Sequence, residues 1–252
     1  MVYDRYMEKT KLANFDPIFL DEMAEVELMN RVDTKFVLSR ELLNQVLLEL
    51  PSQYRALEVE GTRMSAYSTQ YFDTSGYKFY LDHHNGSGNR YKVRIRKYVE
   101  SGIYYLEVKN KFKGRTDKKR IRINEFEQQM SAGSKEYVQA VIGEEMSLES
   151  KLWNLFDRIT LVNKTEKERL TIDLNLGFKT AEFHDVFDHL VVAELKQERI
   201  NRQSLFYQLM KKNGIRRNGF SKYCVGVVTV NSEVKYNNFK PHLRLIEKLK
   251  RA

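Results

Sequence analysis

Arg90, Lys92, Arg94 and Arg96 take alternate positions in "RYKVRIRKY", and Glu107, Lys109 and Lys111 do the same in "YLEVKNKFKG". Arg120 and Arg122 in "KKRIRIN" repeat the spacing, as do Glu194 and Lys196 in "VVAELKQE". Side chains two apart in a strand share a face, so each segment, as a strand, has one apolar side and one charged side. Planar guanidinium forks and flexible ammonium groups are the side chains that bind phosphate oxygens. Like charges set side by side repel, and so basic a face is relieved when an anion lies on it. The chemistry these residues suit is recognition of a phosphate-rich anion.

An antiparallel sheet with one face in water would also alternate in this way. Solvent faces, however, mix both signs with Thr, Ser and Gln, as "RLTIDLNL" does with Arg169, Thr171, Asp173 and Asn175. Six or seven strands each carry one apolar and one charged face, and most of them place Arg or Lys at successive same-face positions with a few isolated carboxylates, which predicts something else. The sheet is expected to curl around those residues, with helices over its apolar outside, as a phosphate-binding tunnel. The fold class is therefore α+β.

The remaining chain supplies the elements that must hold such a tunnel. "RVDTKFVLS" sets Arg31, Asp33 and Lys35 against Val32, Thr34, Phe36 and Leu38. Ser39 is placed to cap a helix from Arg40 to about Leu50, with Leu43, Val46, Leu47 and Leu50 inward and Pro51 beyond its end. "FDPIFLDEMAEVELM" reads as a helix capped by Asp16, with Pro17 in its first turn. "SAYSTQYFDT" reads as a strand, "SGYKFYLDHHNGSGN" as a turn, a short aromatic stretch and a loop. "SKEYVQAVIGEEM", "SLESKLWNLFDRI" and "RQSLFYQLMKK" read as helices, "SKYCVGVVTV" as a final strand and "FKPHLRLIEKLKRA" as a basic amphipathic helix. Trp153 falls among Leu152, Leu155 and Phe156 and is expected in the core.

The chain has 252 residues, 42% of them hydrophobic, with few prolines and no linker-like stretch. It is expected to form a single domain over 1–252, with a core at about 16–240 and a C-terminal helix at 241–252. The net charge of +9 points to an anionic partner. No transmembrane segment is expected, since apolar runs such as Val225 to Val230 are far too short. The charged N-terminus does not read as a secretory signal, and the lone Cys224 cannot pair within the chain. A cytoplasmic setting follows as the expectation. Nucleic acid is not expected as a partner: no motif for it is present, and the basic strand faces read as lacking aromatic platforms.

Taken in order, "RVDTKFVLS", "YFDT", "YKVRIRKY", "YLEVKNKFKGR", "RLTIDLNL", "VVAELKQ" and "FSKYCVG" resemble the signature blocks of the VTC-type polyphosphate polymerase domain. That family lies within the triphosphate tunnel metalloenzyme (CYTH-like) superfamily. The resemblance implies an antiparallel, eight-stranded tunnel with helices around it, and the activity of moving the γ-phosphate of ATP to a polyphosphate chain. Mn²⁺ or Mg²⁺ is the implied cofactor, and ATP and polyphosphate are the implied partners. It further implies that Lys35, Arg94, Arg96, Lys109 and Lys222 grip phosphate, together with a residue of "KKRIR", either Lys119 or Arg120. Arg169 would be a further wall residue, and Lys92, Lys111, Arg122 and Lys196 complete the basic set. Glu194 matches the metal-binding glutamate, and Lys222 a late-strand lysine of the tunnel wall.

The chain departs from the hydrolytic and cyclase branches of that superfamily, which carry Glu-x-Glu-x-Lys on their first strand. Glu25 and Glu27 are followed by Met29, and the equivalent strand reads Arg31, Asp33, Lys35. The membrane anchor and phosphate-sensing domain of eukaryotic members do not appear, so a free-standing prokaryotic form is the expectation. A polyanion-binding module without catalysis and a triphosphatase remain as alternative readings.

Overall fold

The computed structural model describes residues 8–24, 31–113 and 115–251. The strands are β1 (Asp16–Ile18), β2 (Val32–Ser39), β3 (Tyr54–Leu57), β4 (Ser65–Asp73), β5 (Asn89–Tyr98), β6 (Ile103–Phe112), β7 (Arg115–Ile123), β8 (Glu149–Asn163), β9 (Glu168–Lys179), β10 (His184–Phe187) and β11 (Leu190–Gln197). The helices are α1 (residues 8–12), α2 (Arg40–Glu49), α3 (Lys78–His84), α4 (Ala132–Ile142), α5 (Leu205–Lys212), α6 (Lys222–Val230) and α7 (Lys240–Lys250). None of these helices is long and apolar enough to cross a membrane.

Eight strands follow one another in the order β2-β11-β9-β8-β4-β5-β6-β7, each antiparallel to its neighbours. They make a curled half-barrel with helices around it. Register shifts at Tyr71/Phe72 in β4 and between Leu155 and Asp157 in β8 bend the middle of the sheet, as bulges do. Asn175 takes a left-handed backbone (φ 53°) on β9 beside the second of them. β1 and β3 pair in parallel and β3 joins β8 at the periphery, while β10 extends β9.

Alternation explains the two faces. On the convex side, Phe36, Leu38, Leu170, Ile172, Leu174, Ala193 and Leu195 pack against Leu43, Val46 and Leu47 of α2 and Phe206, Leu209 and Met210 of α5. Ser39 caps α2, its hydroxyl accepting from the Leu42 amide at 3.2 Å. Farther along the same side, Val93, Ile95, Leu106 and Val108 meet Phe79 of α3 and Val138 of α4.

Helix α6 lies on the concave side, where Tyr223, Cys224, Val225 and Val227 pack on Val37, Leu152, Val192, Leu176 and Phe178. Gly226 makes that approach possible, because a Cβ there would stand 2.4 Å from Leu152 Cδ2 and 2.6 Å from the Phe178 ring. The segment before α6 runs beside β2: Arg217 bridges Phe36, and the Asn218 amide donates to the Lys35 carbonyl at 2.7 Å. It covers the outer edge of β2. The other end strand, β7, hydrogen-bonds β6 alone and is exposed along most of its length.

Five sequence expectations are corrected. Residues 149–159 of the expected helix "SLESKLWNLFDRI" belong instead to the long strand β8, because neighbours on both sides supply ladder partners that outweigh their helix-like apolar spacing. "SKYCVGVVTV" is helix α6 and not a strand, since its apolar residues are buried on several sides with no strand free beside them. Asp16–Ile18 is a strand paired with Tyr54–Leu57, not a helix start, and the Glu25, Glu27 and Met29 positions lie outside the described residues. "KFYLDHH" is helical, held by Asp73, whose carboxylate accepts from the amides of Phe79 and Tyr80 at 2.9 Å. Trp153 is only partly buried and packs edge-on against Phe126, 4.5 Å between centroids.

Candidate functional site: the concave basic face

Pairing across the ladders decides which charges meet, because directly opposed residues share a face. Arg94 stands opposite Glu107, and Glu107 opposite Arg120; Arg96, Tyr105 and Arg122 form the next row. Lys92, Lys109 and Lys118 line up on the other side, followed by Arg90, Lys111 and Thr116. At the opposite end of the sheet, Lys35, Glu194 and Thr171 form one row, and Asp33, Lys196 and Arg169 the next. Val192, Asp173 and Arg158 make a third. All these residues belong to the concave face.

Lys119 does not join them. It stands opposite Val108, on the convex side with Ile121 and Leu106. Of the two candidates in "KKRIR", the register therefore brings Arg120 to the concave face and turns Lys119 away. Arg122 reaches it only at the exposed rim, and Lys111 at the far end. Lys222 lies not on a strand but at the first residue of α6, which delivers its ammonium group to Asp173.

Two buried carboxylates organise the cations. Glu107 (1% exposed) accepts from Arg94 Nε at 2.7 Å and from Lys118 Nζ at 3.3 Å. Burial opposes its ionisation, but Arg94, Arg96, Lys118 and Lys109 together hold it well below the usual carboxylate range. Asp173 takes two hydrogen bonds from Arg158, at 2.6 and 2.8 Å, and a third from Lys222. Arg158 and Lys222 overcome the effect of its burial and keep it ionised.

Glu194 is different. Its carboxylate, 24% exposed, meets Lys35 Nζ at 3.3 Å and also pairs with Lys196. Lys35 donates in addition to the Phe220 carbonyl at 3.0 Å, and Lys92 to the Ser221 hydroxyl at 3.1 Å. The segment that enters α6 is thereby tied to the end strand β2 and, across the curl, to β5.

The lysines share one electrostatic condition. Burial depresses Lys35, Lys92 and Lys196, the last strongly, with neighbouring cations adding to the effect. Lys109 is pushed far down, chiefly by Arg94 and then by burial. Burial brings Lys222 down to about 8 although Asp173 supports its charge. Carboxylates on this face are too few to neutralise it, and an anion with several negative oxygens would restore every one of these ammonium groups.

Aromatic side chains stand among the charges, contrary to the sequence expectation. Arg96 lies over the rings of Tyr67 and Phe156 at 5.4 and 5.5 Å, and Arg158 over the same pair at 5.0 and 5.2 Å. Arg120 covers Tyr105 at 4.4 Å. Tyr67 belongs to β4 and Phe156 to β8, strands without alternating Arg and Lys, whereas Tyr105 shares its face of β6 with Glu107 and Lys109. Arg158 lies in the segment whose apolar spacing is helical, although the alternation of "RITLVN" that follows marks it as a concave-face cation.

Among the described residues no three His, Cys, Asp or Glu side chains gather to cage a metal. Glu107 and Asp173 are committed to arginine, whereas Glu194 is half-buried and held by lysines alone, with Asp33 of the adjoining strand 4.0 Å from Lys196. One or two protein carboxylates beside substrate phosphates is what Mg²⁺ or Mn²⁺ takes in phosphoryl-transfer sites. The residues fit an ion shared with a phosphate ligand.

A family model described as "VTC domain" matches residues 30–231. Among solved structures, a candidate adenylate cyclase from Bacillus halodurans superposes with a TM-score of 0.52 at 12% identity, over 76% of this chain and 94% of that one. A candidate adenylyl cyclase from Hippeastrum with a dominant triphosphatase activity gives 0.47 at 15% identity, over 77% and 95%. A candidate adenylate cyclase from Vibrio parahaemolyticus gives 0.45 at 11%, over 79% and 99%. Comparison with curated proteins finds no match. The Bacillus likeness is one of fold, and it agrees with the curled antiparallel sheet described above.

Proposed function

The chain belongs to the VTC domain family of triphosphate-tunnel proteins, and from that premise we propose that it is an ATP-dependent polyphosphate polymerase whose reaction takes place on the concave face. The observation that carries this reading is a concave face on which Lys35, Arg94, Arg96, Arg158, Lys222 and further cations outnumber the carboxylates, with a half-buried Glu194 held by Lys35 and Lys196.

Phosphoryl transfer leaves little covalent work to a protein, so positioning and charge stabilisation are what the side chains supply. Arg94 and Arg96, buried and braced by Glu107 and Thr69, offer fixed forks to phosphate oxygens. Lys35, Lys109 and Lys222 neutralise charge that spreads over the transferred group, and Arg158 holds Asp173 so that Lys222 stays aimed. Glu194, with Asp33 beside it, would hold Mn²⁺ or Mg²⁺. Such an ion supplies Lewis-acid stabilisation of phosphate oxygens. No serine, cysteine or histidine nucleophile is needed, and the role of each named residue is part of the proposal.

The test is to incubate the protein with ATP and Mn²⁺ or Mg²⁺ and resolve products by gel and nucleotide chromatography, alongside Glu194→Ala and Arg94→Ala. A polyphosphate ladder with matching ADP, lost in both variants, is the expected result. Free phosphate without a ladder would replace the reading with a triphosphatase. A second reading, a polyanion receptor, draws on the engagement of Glu194 by both Lys35 and Lys196. Tight polyphosphate binding without turnover would establish it instead.

A further inference from the structure

One region of the convex side opposes the charge of the whole molecule. Residues 124–150 hold six glutamates and a single lysine, in a chain whose net charge is +9. They comprise α4 and the turns on either side of it. Glu127 is committed to capping that helix, its carboxylate accepting from the Ser131 amide at 3.0 Å and the Ser134 hydroxyl at 2.9 Å. Glu149 pairs with Lys151 at 2.7 Å, whereas Glu125, Glu136, Glu144 and Glu145 form no ion pair with a described residue.

A groove of about 770 Å³ opens in this region, its wall including Glu125, Phe126, Glu127, Glu149 and Ser150. Phe126 rests edge-on against Trp153, so the groove has an aromatic side as well as an acidic one. Gln70 of β4, only 1% exposed, reaches the wall from within the sheet. Its Nε2 donates to the Glu127 carbonyl at 2.8 Å and to the Ser150 hydroxyl at 3.0 Å. Its Oε1 has no hydrogen-bond partner among the described residues. A buried acceptor left unsatisfied costs free energy, and its complement is a donor.

Carboxylates, a buried acceptor and an aromatic face together describe one kind of ligand group. A guanidinium supplies a fork of N–H donors, a permanent positive charge and a flat face that lies on rings. The acidic surface continues past the groove, along α4 to Glu136 and beyond Gly143 to Glu144 and Glu145. It is longer than one side chain, which favours a run of basic residues over a small free cation.

We propose that the groove beside α4 docks an arginine-rich segment of a partner protein, with one guanidinium taken up by Glu125, Glu149 and the Gln70 amide oxygen. The concave face attracts polyanions, so the two sides of one sheet engage ligands of opposite charge. A cationic segment is repelled by most of the surface and is directed to this groove.

Trp153 is the single tryptophan of the chain, and its contact with Phe126 makes it a reporter of the groove. Titration with an oligoarginine peptide, without ATP or polyphosphate, should give a saturable change in its fluorescence. Glu125→Gln/Glu149→Gln should weaken the peptide at least about tenfold, the loss of two charge-assisted hydrogen bonds. Gln70→Met removes the amide oxygen and keeps the glutamates, and should weaken it about threefold or more. Both variants should bind tripolyphosphate as the unaltered protein does, which shows that the fold is intact. No saturable change with the unaltered protein, or equal peptide affinity in the glutamine variant, would overturn the site. Full affinity in Gln70→Met would reduce it to unspecific attraction between charges and overturn it as well. Spermidine binding as tightly as the peptide would make the ligand a small polyamine and remove the partner segment.

Discussion

Arg158 of β8 clasps Asp173 of β9 through two hydrogen bonds, at 2.6 and 2.8 Å, and Asp173 in turn receives Lys222 from α6. The clasp joins the middle of the sheet to the helix inside it. Arg158→Met would leave a carboxylate only 3% exposed with a single partner. Breaking a buried pair from one side costs about 3 kcal/mol or more. For a chain of this size that corresponds to a melting temperature lower by roughly 6–12 °C. Arg158→Met/Asp173→Leu should recover much of that stability and still bind polyphosphate weakly. If the double variant melts as low as the single one, the clasp is not what holds these elements.

Lys222 gives a pH dependence. Burial lowers it to about 8 from an ordinary 10.5. Between those values the unfolded chain holds a proton that the folded protein has lost, so folding stability rises with pH across that window. Polyanion affinity runs the other way and falls as the ammonium charge is lost above pH 8. Binding of tripolyphosphate at pH 8.5 should take up protons, measured by calorimetry in buffers of different ionisation enthalpy. Lys222→Arg should diminish the uptake; an undiminished uptake would assign it to other groups.

Glu194→Gln separates binding from turnover. It removes a carboxylate from between Lys35 and Lys196 and frees both for phosphate. Polyphosphate affinity should be unchanged or higher, while metal-dependent turnover drops at least about 100-fold, no less than loss of an outer-sphere partner brings. Undiminished turnover in this variant would end the metal role given to Glu194.

Gly226→Ala probes the packing of α6. The added methyl would collide with Leu152 and Phe178, at 2.4 to 2.8 Å, and overpacking of this sort costs about 1–3 kcal/mol. Alanine's better helix propensity offsets less than about 1 kcal/mol of that. Thermal unfolding should shift downward, and polyanion binding should weaken as Lys222 is displaced. A melting temperature equal to that of the unaltered protein would show that the interface yields freely.

The β5–β6 hairpin could be read from sequence because each charged residue has an apolar neighbour, and Arg94 and Glu107 fall on matching parity. Ser39 and the apolar spacing after it likewise announced α2. The central strand β8 could not be read so easily: Leu152, Leu155, Phe156 and Ile159 recur at helical spacing, and only pairing with β4 and β9 holds the segment extended. Arg158 disappeared with it. In α6, the run "VGVVTV" favours a strand locally, yet its place inside the curl, with no free strand edge there, favours a helix. Lys119 and Arg120 are adjacent in sequence, and only the register with Val108 and Glu107 separates their faces.

The exposed strand β7 ends the sheet with unpaired backbone groups, a surface on which a second chain could add its own strand. Arg115, Lys118, Lys119, Arg120 and Arg122 stud both of its faces, so an identical strand laid alongside would set cation against cation. The charges that tune the inside of the curl therefore also guard its border, and they keep an open-edged sheet from becoming the start of a fibre.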